Sequence, residues 1–384
     1  MTNILGRNKM SVKQEDVFDF KREFLDYLSK NKMEYYEIFD ETVSEYSFFE
    51  KQLIQEISEM VEVLIDKMSE GRGISPEVHV FCMQDELVNA FCFTTNQHYY
   101  IGINSATYVE LIRRTQILSE YLVEKEQWGY YQNKSAEEVQ ALLWMYAFKM
   151  ILAHEYMHII LGHCDTICSE KAFLWEVNLS EKSESSQSFS IKELQAMELF
   201  ADEFAAKDAT WQILSGTERI EEIKYKLLNY YLAVLLVFSI FHNYRGKEET
   251  HPKLGIRLHS IMATVDDTVI KGLDASDWEM QIEKIDTVID TFMDIVQEFP
   301  RLFSYDIVTE LGVNDFDKEY LELYNVASDI VKITNQRAVY PINEFKKMDE
   351  KTLELLDKER EILFYATQMG MSYDDACAII RKME

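Results

Sequence analysis

The sequence is poor in basic side chains. Its 39 lysines and arginines face 68 aspartates and glutamates, which leaves a formal net charge of −29 at pH 7. A surface of this charge repels phosphate backbones and anionic lipid headgroups over most of its area. The composition therefore argues against nucleic acid as a partner.

Cysteine is scarce as well, and the five cysteines do not form a disulfide framework. They are odd in number and lie in apolar contexts, which indicates reduced thiols. The first sixteen residues contain no apolar run typical of a signal peptide. We therefore expect a reducing, cytoplasmic location for a chain whose cysteines are Cys82, Cys92, Cys164, Cys168 and Cys377.

No apolar run in the sequence has the length of a membrane span. The two candidate segments, Ala141–Ala153 and Tyr230–Phe241, fall short of the roughly 18 to 20 apolar residues that cross a bilayer. Lys149 also interrupts the first segment. We predict that both are buried core helices.

The periodicity of the apolar residues predicts an α+β protein that is mostly helical. Helical spacing runs from Glu15 to about Ser69, and the turn-forming stretch Gly71–Pro76 ends it. The segments "VHVFCM" and "YYIGIN" then predict strands of one small sheet. Ser135 begins the next helix with a capping box to Glu138.

Further helices and a loop complete the chain. The helix from Ser135 runs to Gly162, a serine-rich surface loop spans Ser180–Ser190, and another helix follows over Ile191–Gly216. We predict three regions, which are a helical region at 1–70, a core at 71–262 and a helical region at 263–384.

The motif "HEYMH" has the HExxH pattern of a metal-binding helix. His154 and His158 lie one turn apart, so both imidazoles can reach one metal ion, with Glu155 beside the metal-bound water. A chance arrangement of ordinary helical polar residues is the alternative. A catalytic zinc ion of this type takes three protein ligands and a water, so a third ligand is required.

Two residues compete for the place of the third ligand. His163 follows His158 by five residues, whereas the metzincin pattern needs the last histidine six residues on. Glu198 lies downstream in "MELFADEFAA" with Asp202 on the same helical face, and this carboxylate is the better candidate. Asp202 can then hold the free N–H of a ligand histidine. Cys164 and Cys168 are predicted to be inert thiols rather than a second metal site.

Four segments together resemble the gluzincin peptidases related to the CAAX prenyl proteases and the bacterial heat-shock membrane protease. They are "VNAFCF", "HEYMHIILGH", "ELFAD" and "THPKLGIRL", in the family's order over Val78–Leu258. The resemblance implies a zincin-like core with a small sheet and an HExxH helix. The chain departs from the family because it has no membrane helices of convincing length, and the flanks Met1–Gly71 and Ala263–Glu384 match nothing in it.

The resemblance implies a role for each matching residue. The zinc ligands would be His154, His158 and Glu198, with Glu155 as general base and Asp202 as the residue that orients His154.

The remaining implied roles concern the rim of the site. His251 would stabilise the oxyanion or, in a latent state, bind the zinc ion, and a tyrosine is the alternative oxyanion donor. Arg257 would pair with an acidic group. Asn89 and Ala90 would lie where an extended peptide adds to the sheet edge.

The sequence therefore predicts a zinc-dependent metalloendopeptidase that acts on a protein or peptide substrate. One alternative is a catalytically silent zincin-fold scaffold. Another is a phage-exclusion-type cytoplasmic protease, which the chain resembles more weakly, in its HExxH motif and location alone. The sequence does not indicate an oligomeric state.

Overall fold

The computed structural model describes residues 14–30, 37–40, 46, 76–95, 98–125, 129–169, 189–215, 217, 219–245, 251–272, 278–303 and 322–326, with individual positions between 51 and 68. Contacts divide the chain into units 1–340 and 341–384, and every described residue belongs to the first. The predicted turn at Gly71–Pro76, the loop at Ser180–Ser190 and the C-terminal region beyond 303 lie largely outside the described residues. The three predicted regions stay predictions.

The described chain is mostly helical with one small sheet, which confirms the predicted fold class. The zincin-like arrangement of the core stays a prediction. Described positions between 51 and 68 and residues 322–326 are also helical. The bounded helices are α1 (Gln14–Lys30), α2 (Ser105–Glu124), α3 (Ala136–Ile160), α4 (His163–Ser169), α5 (Ile191–Ser215), α6 (Ile220–Arg245), α7 (Leu254–Gly272), α8 (Trp278–Glu298) and α9 (Pro300–Phe303), with a 3₁₀ turn at Gly129–Tyr131.

The sheet has four strands in the order β1-β2-β4-β3. The strands β2 and β4 are parallel, with Val80 opposite Ile101, and β3 is antiparallel to β4. Both predicted strands are present as β2 and β4. The strands are β1 (Glu37–Ile38), β2 (Val78–Gln84), β3 (Ala90–Thr95) and β4 (His98–Asn104).

Strand β1 lies at Glu37–Ile38, before the segment in which the sequence predicted the sheet. It pairs antiparallel with β2 through Glu37 opposite Gln84 and Ile38 opposite Met83. A two-residue strand leaves no period-2 pattern in the sequence, because alternation needs four or more residues to be read. The sheet therefore extends beyond the segment to which the sequence assigned it.

The two faces of the sheet are covered by different elements. On one face, Phe24 of α1 packs on Phe81, Phe93 and Tyr100 with ring centroids 4.6 to 5.7 Å apart. On the other face, the Cys92 sulfur lies 3.4 Å from that of Cys164, so α4 packs against β3. Side chains alternate between the faces of a strand, so the adjacent residues Cys92 and Phe93 of β3 face α4 and α1 respectively.

The cysteines whose side chains are described are free thiols, as the sequence predicted. They are Cys82, Cys92 and Cys164. The side chains of Cys168 and Cys377 lie outside the described part of the chain.

Helix α6 forms the centre of the helical layer. The stretch Ile220–His242 has 23 residues and is long and apolar enough to cross a membrane, which corrects the estimate of its length from the sequence. Within that stretch, 89% of the most apolar window is buried inside the protein. This burial is that of a core helix, as predicted, and it is compatible with a soluble protein.

Candidate metal centre

The capping box and the turn that bound α3 fix its position in the chain. The Ser135 hydroxyl accepts a hydrogen bond from the Glu138 N–H, and the Glu138 carboxylate accepts one from the Ser135 N–H. At the other end, Gly162 has φ 71°, a left-handed conformation that costs other residues about 1–2 kcal/mol. The helix therefore ends at Ile160, and the chain passes through the turn at Gly162 into α4.

Two histidines of α3 face each other across one turn. Ala147 and Ile151 form a buried stripe, and the same stripe continues into His154 and His158. The Nε2 atoms of His154 and His158 are 3.2 Å apart. Both imidazoles therefore point to the same place beside the helix.

Glu198 of α5 meets both rings. Its Oε2 lies 3.2 Å from His154 Nε2 and its Oε1 lies 3.4 Å from His158 Nε2, and its side chain is fully buried. Ala201 and Ala205 share the stripe of Glu198 on α5 and are also fully buried. Small side chains at these positions let α5 approach α3 closely enough for the carboxylate to reach the histidines.

These distances fit a zinc ion. Two ligands at 2.0–2.1 Å from a tetrahedral ion are about 3.3 Å apart, close to the separations between the three side chains. The ligand atoms of His154, His158 and Glu198 all lie within 4.8 Å of one another. Two imidazoles and one carboxylate are also a ligand set that catalytic zinc takes.

A chain of hydrogen bonds fixes the ring of His154. Its Nδ1 lies 2.9 Å from Asp202 Oδ1, and a carboxylate can only accept, so Nδ1 carries a proton and Nε2 is the nitrogen that faces His158 and Glu198. Arg257 donates to the same carboxylate from Nε at 2.6 Å and from Nη2 at 2.9 Å. The guanidinium also lies 4.5 Å from the centre of the Phe238 ring.

His163 contacts His158 rather than the common point of the three ligand atoms. The Nδ1 atoms of the two rings are 2.9 Å apart, and His163 is buried. When His158 presents its Nε2 lone pair to a metal ion, its Nδ1–H donates to His163 Nδ1. Sequence spacing did not predict this contact, because it depends on the left-handed turn at Gly162.

His251 reaches the site from the segment before α7. Its Nε2 lies 3.1 Å from Glu198 Oε2, and 17% of its side chain is exposed. His251 thus lies on the more open side of the cluster.

Glu155 is buried next to the sheet. It contacts the thiol of Cys92 on β3, and its side chain is 7% exposed. Burial, the hydrogen bond to Cys164 and the nearby Glu155 all raise the pKa of Cys92, so that thiol is protonated.

Asn89 and Ala90 lie at the start of β3, and their backbone is already engaged. The Asn89 N–H donates to Thr107 Oγ1 at 3.0 Å, and its carbonyl accepts from the Asn104 N–H at 2.9 Å. Ala90 pairs with Ile103 of β4. In the described part of the chain, the side-chain oxygen of Asn89 has no hydrogen-bond partner. A substrate role for both residues stays a prediction.

Burial and charge act in opposite directions on the site. Burial would lower the pKa of His154, but Glu198 and Asp202 outweigh it and raise the pKa to about 10 in the metal-free protein. Burial lowers the pKa of His158. Burial would raise the pKa of Glu198, yet the histidines around it, His251 first, hold that pKa well below its usual range. The cluster therefore keeps an ionised carboxylate that can bind a cation.

One comparison with known proteins gave a match. A family model described as Peptidase U49 matches residues 107–269. The match supports a peptidase family. It spans α2 to α7 and so includes all the residues of the candidate metal centre. No curated protein and no solved structure matches the chain. The narrower resemblance to the CAAX prenyl proteases stays a prediction.

Proposed function

We propose that the protein is a zinc-dependent metalloendopeptidase of the gluzincin type. The observation that carries the proposal is the convergence of His154, His158 and Glu198 within 4.8 Å inside the segment that matches a peptidase family. A peptidase acts on a protein or peptide. A bound zinc ion supplies a Lewis acid and a water whose pKa is lowered to about 7.

Glu155 is the general base of the proposed mechanism. It follows the first zinc ligand on α3, takes a proton from the attacking water, and then gives it to the leaving amine. A protein that only binds partners has no need of this carboxylate. Its presence therefore favours an enzyme over the silent scaffold.

Asp202 and His163 hold the two ligand rings in the reactive tautomer. Asp202 accepts a hydrogen bond from His154 Nδ1–H at 2.9 Å, and His163 Nδ1 accepts one from His158 Nδ1–H at 2.9 Å. In both ligand rings, Nδ1 is the nitrogen that faces away from the metal position. Arg257 keeps the Asp202 carboxylate ionised, because its charge lowers the pKa of that group against the effect of burial. These contacts set the geometry of the ligands before metal and substrate arrive.

His251 is the oxyanion donor of the proposed mechanism. It lies beside Glu198 on the open side of the cluster, and we expect a substrate carbonyl to enter from that side. Removal of one oxyanion donor costs about 10²–10³-fold in turnover in a well-characterised protease. The alternative, a latent state in which His251 binds the zinc ion, predicts the opposite effect of substitution.

The experiment compares cleavage by the zinc-loaded wild type with that by Glu155→Gln, using an unstructured protein substrate and a proteome-wide profile of new N-termini. Glu137→Gln, an exposed glutamate on the same helix, is the matched control. We expect Glu155→Gln to lower the rate by about 10²–10⁴-fold with its zinc content unchanged, and Glu137→Gln to keep full activity.

Two results would count against the enzyme. Equal cleavage by wild type and Glu155→Gln would remove the general base from the mechanism. Full zinc occupancy without any proteolysis by the wild type would favour the scaffold. In the same assay, His251→Ala should cleave more slowly than wild type, and faster cleavage would favour the latent state.

A further inference from the structure

A second cluster of metal-binding side chains lies on the sheet. Glu77 precedes β2, His79 is in β2 and His98 begins β4. The Tyr99 N–H donates to the Glu77 carbonyl at 3.2 Å, so the ends of the two parallel strands lie side by side. His79 is opposite Tyr100, two residues after His98, so both imidazoles lie on one face.

The nitrogens of this cluster are buried but not satisfied by hydrogen bonds. His79 Nε2 and His98 Nδ1 have no hydrogen-bond partner in the part of the chain that the structure describes. Glu77 Oε1 lies 3.6 Å from the first nitrogen and Oε2 lies 3.5 Å from the second. These separations are long for hydrogen bonds, whereas buried polar atoms normally have a partner.

The same separations suit a shared metal ion. Ligands of a tetrahedral zinc ion are about 3.3 Å apart, and one ion at 2.0–2.2 Å would satisfy both nitrogens and the carboxylate together. The ligand atoms of the three residues all lie within 4.8 Å of one another. The side chain of Glu77 is 58% exposed, so an ion can enter from solvent and keep a water as its fourth ligand.

We propose that Glu77, His79 and His98 bind a second zinc ion. Imidazole and carboxylate groups are typical ligands of this ion.

The second site lies on the opposite face of the sheet from the candidate metal centre. Its two rings share the face of Tyr100, which α1 covers, whereas Cys92 and the HExxH helix meet the other face. The Phe20 ring of α1 stacks on His79 at 3.8 Å and lies edge-on to His98 at 5.1 Å. A bound ion would therefore order the surface on which α1 packs.

The test is a zinc titration of the metal-free full-length chain against a chromophoric chelator, with the metal content confirmed by mass spectrometry. We expect two zinc ions per wild-type chain. Glu77→Gln, at an exposed position, should lower the affinity for one of the two ions by more than about 100-fold. Loss of a group that only supports a ligand already lowers metal affinity by about 10–100-fold. Glu86→Gln, an exposed glutamate just after β2, is the matched control and should bind two.

The titration separates the two sites. Glu198→Gln should lose the ion of the candidate metal centre and keep the one on the sheet, so failure of one site is visible without the other. Hydrogen exchange gives a second readout, because zinc should slow amide exchange in α1 of the wild type but not of Glu77→Gln. The proposal is overturned if Glu77→Gln and His98→Gln both bind as many zinc ions as the wild type with the same affinity.

Discussion

At the scale of single residues, the candidate metal centre depends on the nitrogens that face away from the metal. His154 is held through Nδ1 by Asp202, and His158 is held through Nδ1 by His163. An imidazole presents a lone pair at Nε2 only when Nδ1 carries the proton. The supporting residues therefore decide whether the two ligands are ready to bind.

The role of His163 is tested by removing its acceptor nitrogen. His163→Phe keeps the ring and its burial but leaves His158 Nδ1 without a partner, and we expect zinc to bind about 10–100-fold more weakly. His163→Gln keeps an acceptor and should recover part of the loss. The measurement is zinc affinity by chelator competition. Equal affinity of His163→Phe and wild type would contradict the support of His158 by His163.

The stability of the metal-free protein should fall with rising pH. Its carboxylate neighbours raise the pKa of His154 from 6.5 to about 10, so the folded state holds a proton that the unfolded state releases earlier. The stabilisation from this group is complete below about pH 6.5 and is lost as the pH rises towards 10. Denaturant unfolding at several pH values measures the slope.

The zinc-loaded protein is the control for this prediction. A bound zinc ion keeps the His154 ring deprotonated at Nε2, so the loaded protein should not show the same slope between pH 6.5 and 10. The same slope with and without zinc would show that His154 is not the group responsible.

Much of the site at this scale could be predicted from helical spacing. His154 and His158, and likewise Glu198 and Asp202, are four residues apart, and helical geometry alone brings each pair to one face. The contact of His163 depends on a turn, and the grouping of His79 with His98 depends on strand register. Neither property follows from local spacing, so the sequence did not predict those contacts.

At the scale of elements, the two helices that carry the site begin with the same device. Ser135 with Glu138 caps α3, and Ser190 with Glu193 caps α5 in the same way. The sequence predicted the first capping box from its spacing. These caps fix where each helix starts and therefore which residues reach the metal.

The left-handed turn at Gly162, after α3, can be tested by substitution. Gly162→Ala places a side chain in a left-handed conformation and should cost about 1–2 kcal/mol of stability. It should also weaken zinc binding, because the turn aims His163 at His158. Gly129→Ala is the control, since an added Cβ there meets no atom within 4 Å. Thermal unfolding and zinc affinity are the measurements.

We expect Gly129→Ala to resemble the wild type in thermal stability and in zinc affinity. A Gly162→Ala protein that matches it in stability and in zinc affinity would show that the turn does not position His163.

At the scale of the whole molecule, packing between distant segments brings the site residues together. The sequence predicted these residues but not their relative positions. The site combines α3, α5 and the segment before α7, which are separated by up to about a hundred residues. Order along the chain and apolar periodicity predicted the helices. They could not predict the position of β1, or that the metal centre and α1 lie on opposite faces of the sheet, because these features depend on contacts between distant segments.

The central claim is that one metal ion lies between α3 and α5. An anomalous difference map at the zinc edge, from crystals of the zinc-loaded protein, tests it most directly. We expect a peak about 2.0–2.2 Å from Nε2 of His154, Nε2 of His158 and a carboxylate oxygen of Glu198. A zinc-loaded crystal with no peak there, or with Glu198 turned away from both rings, would contradict it.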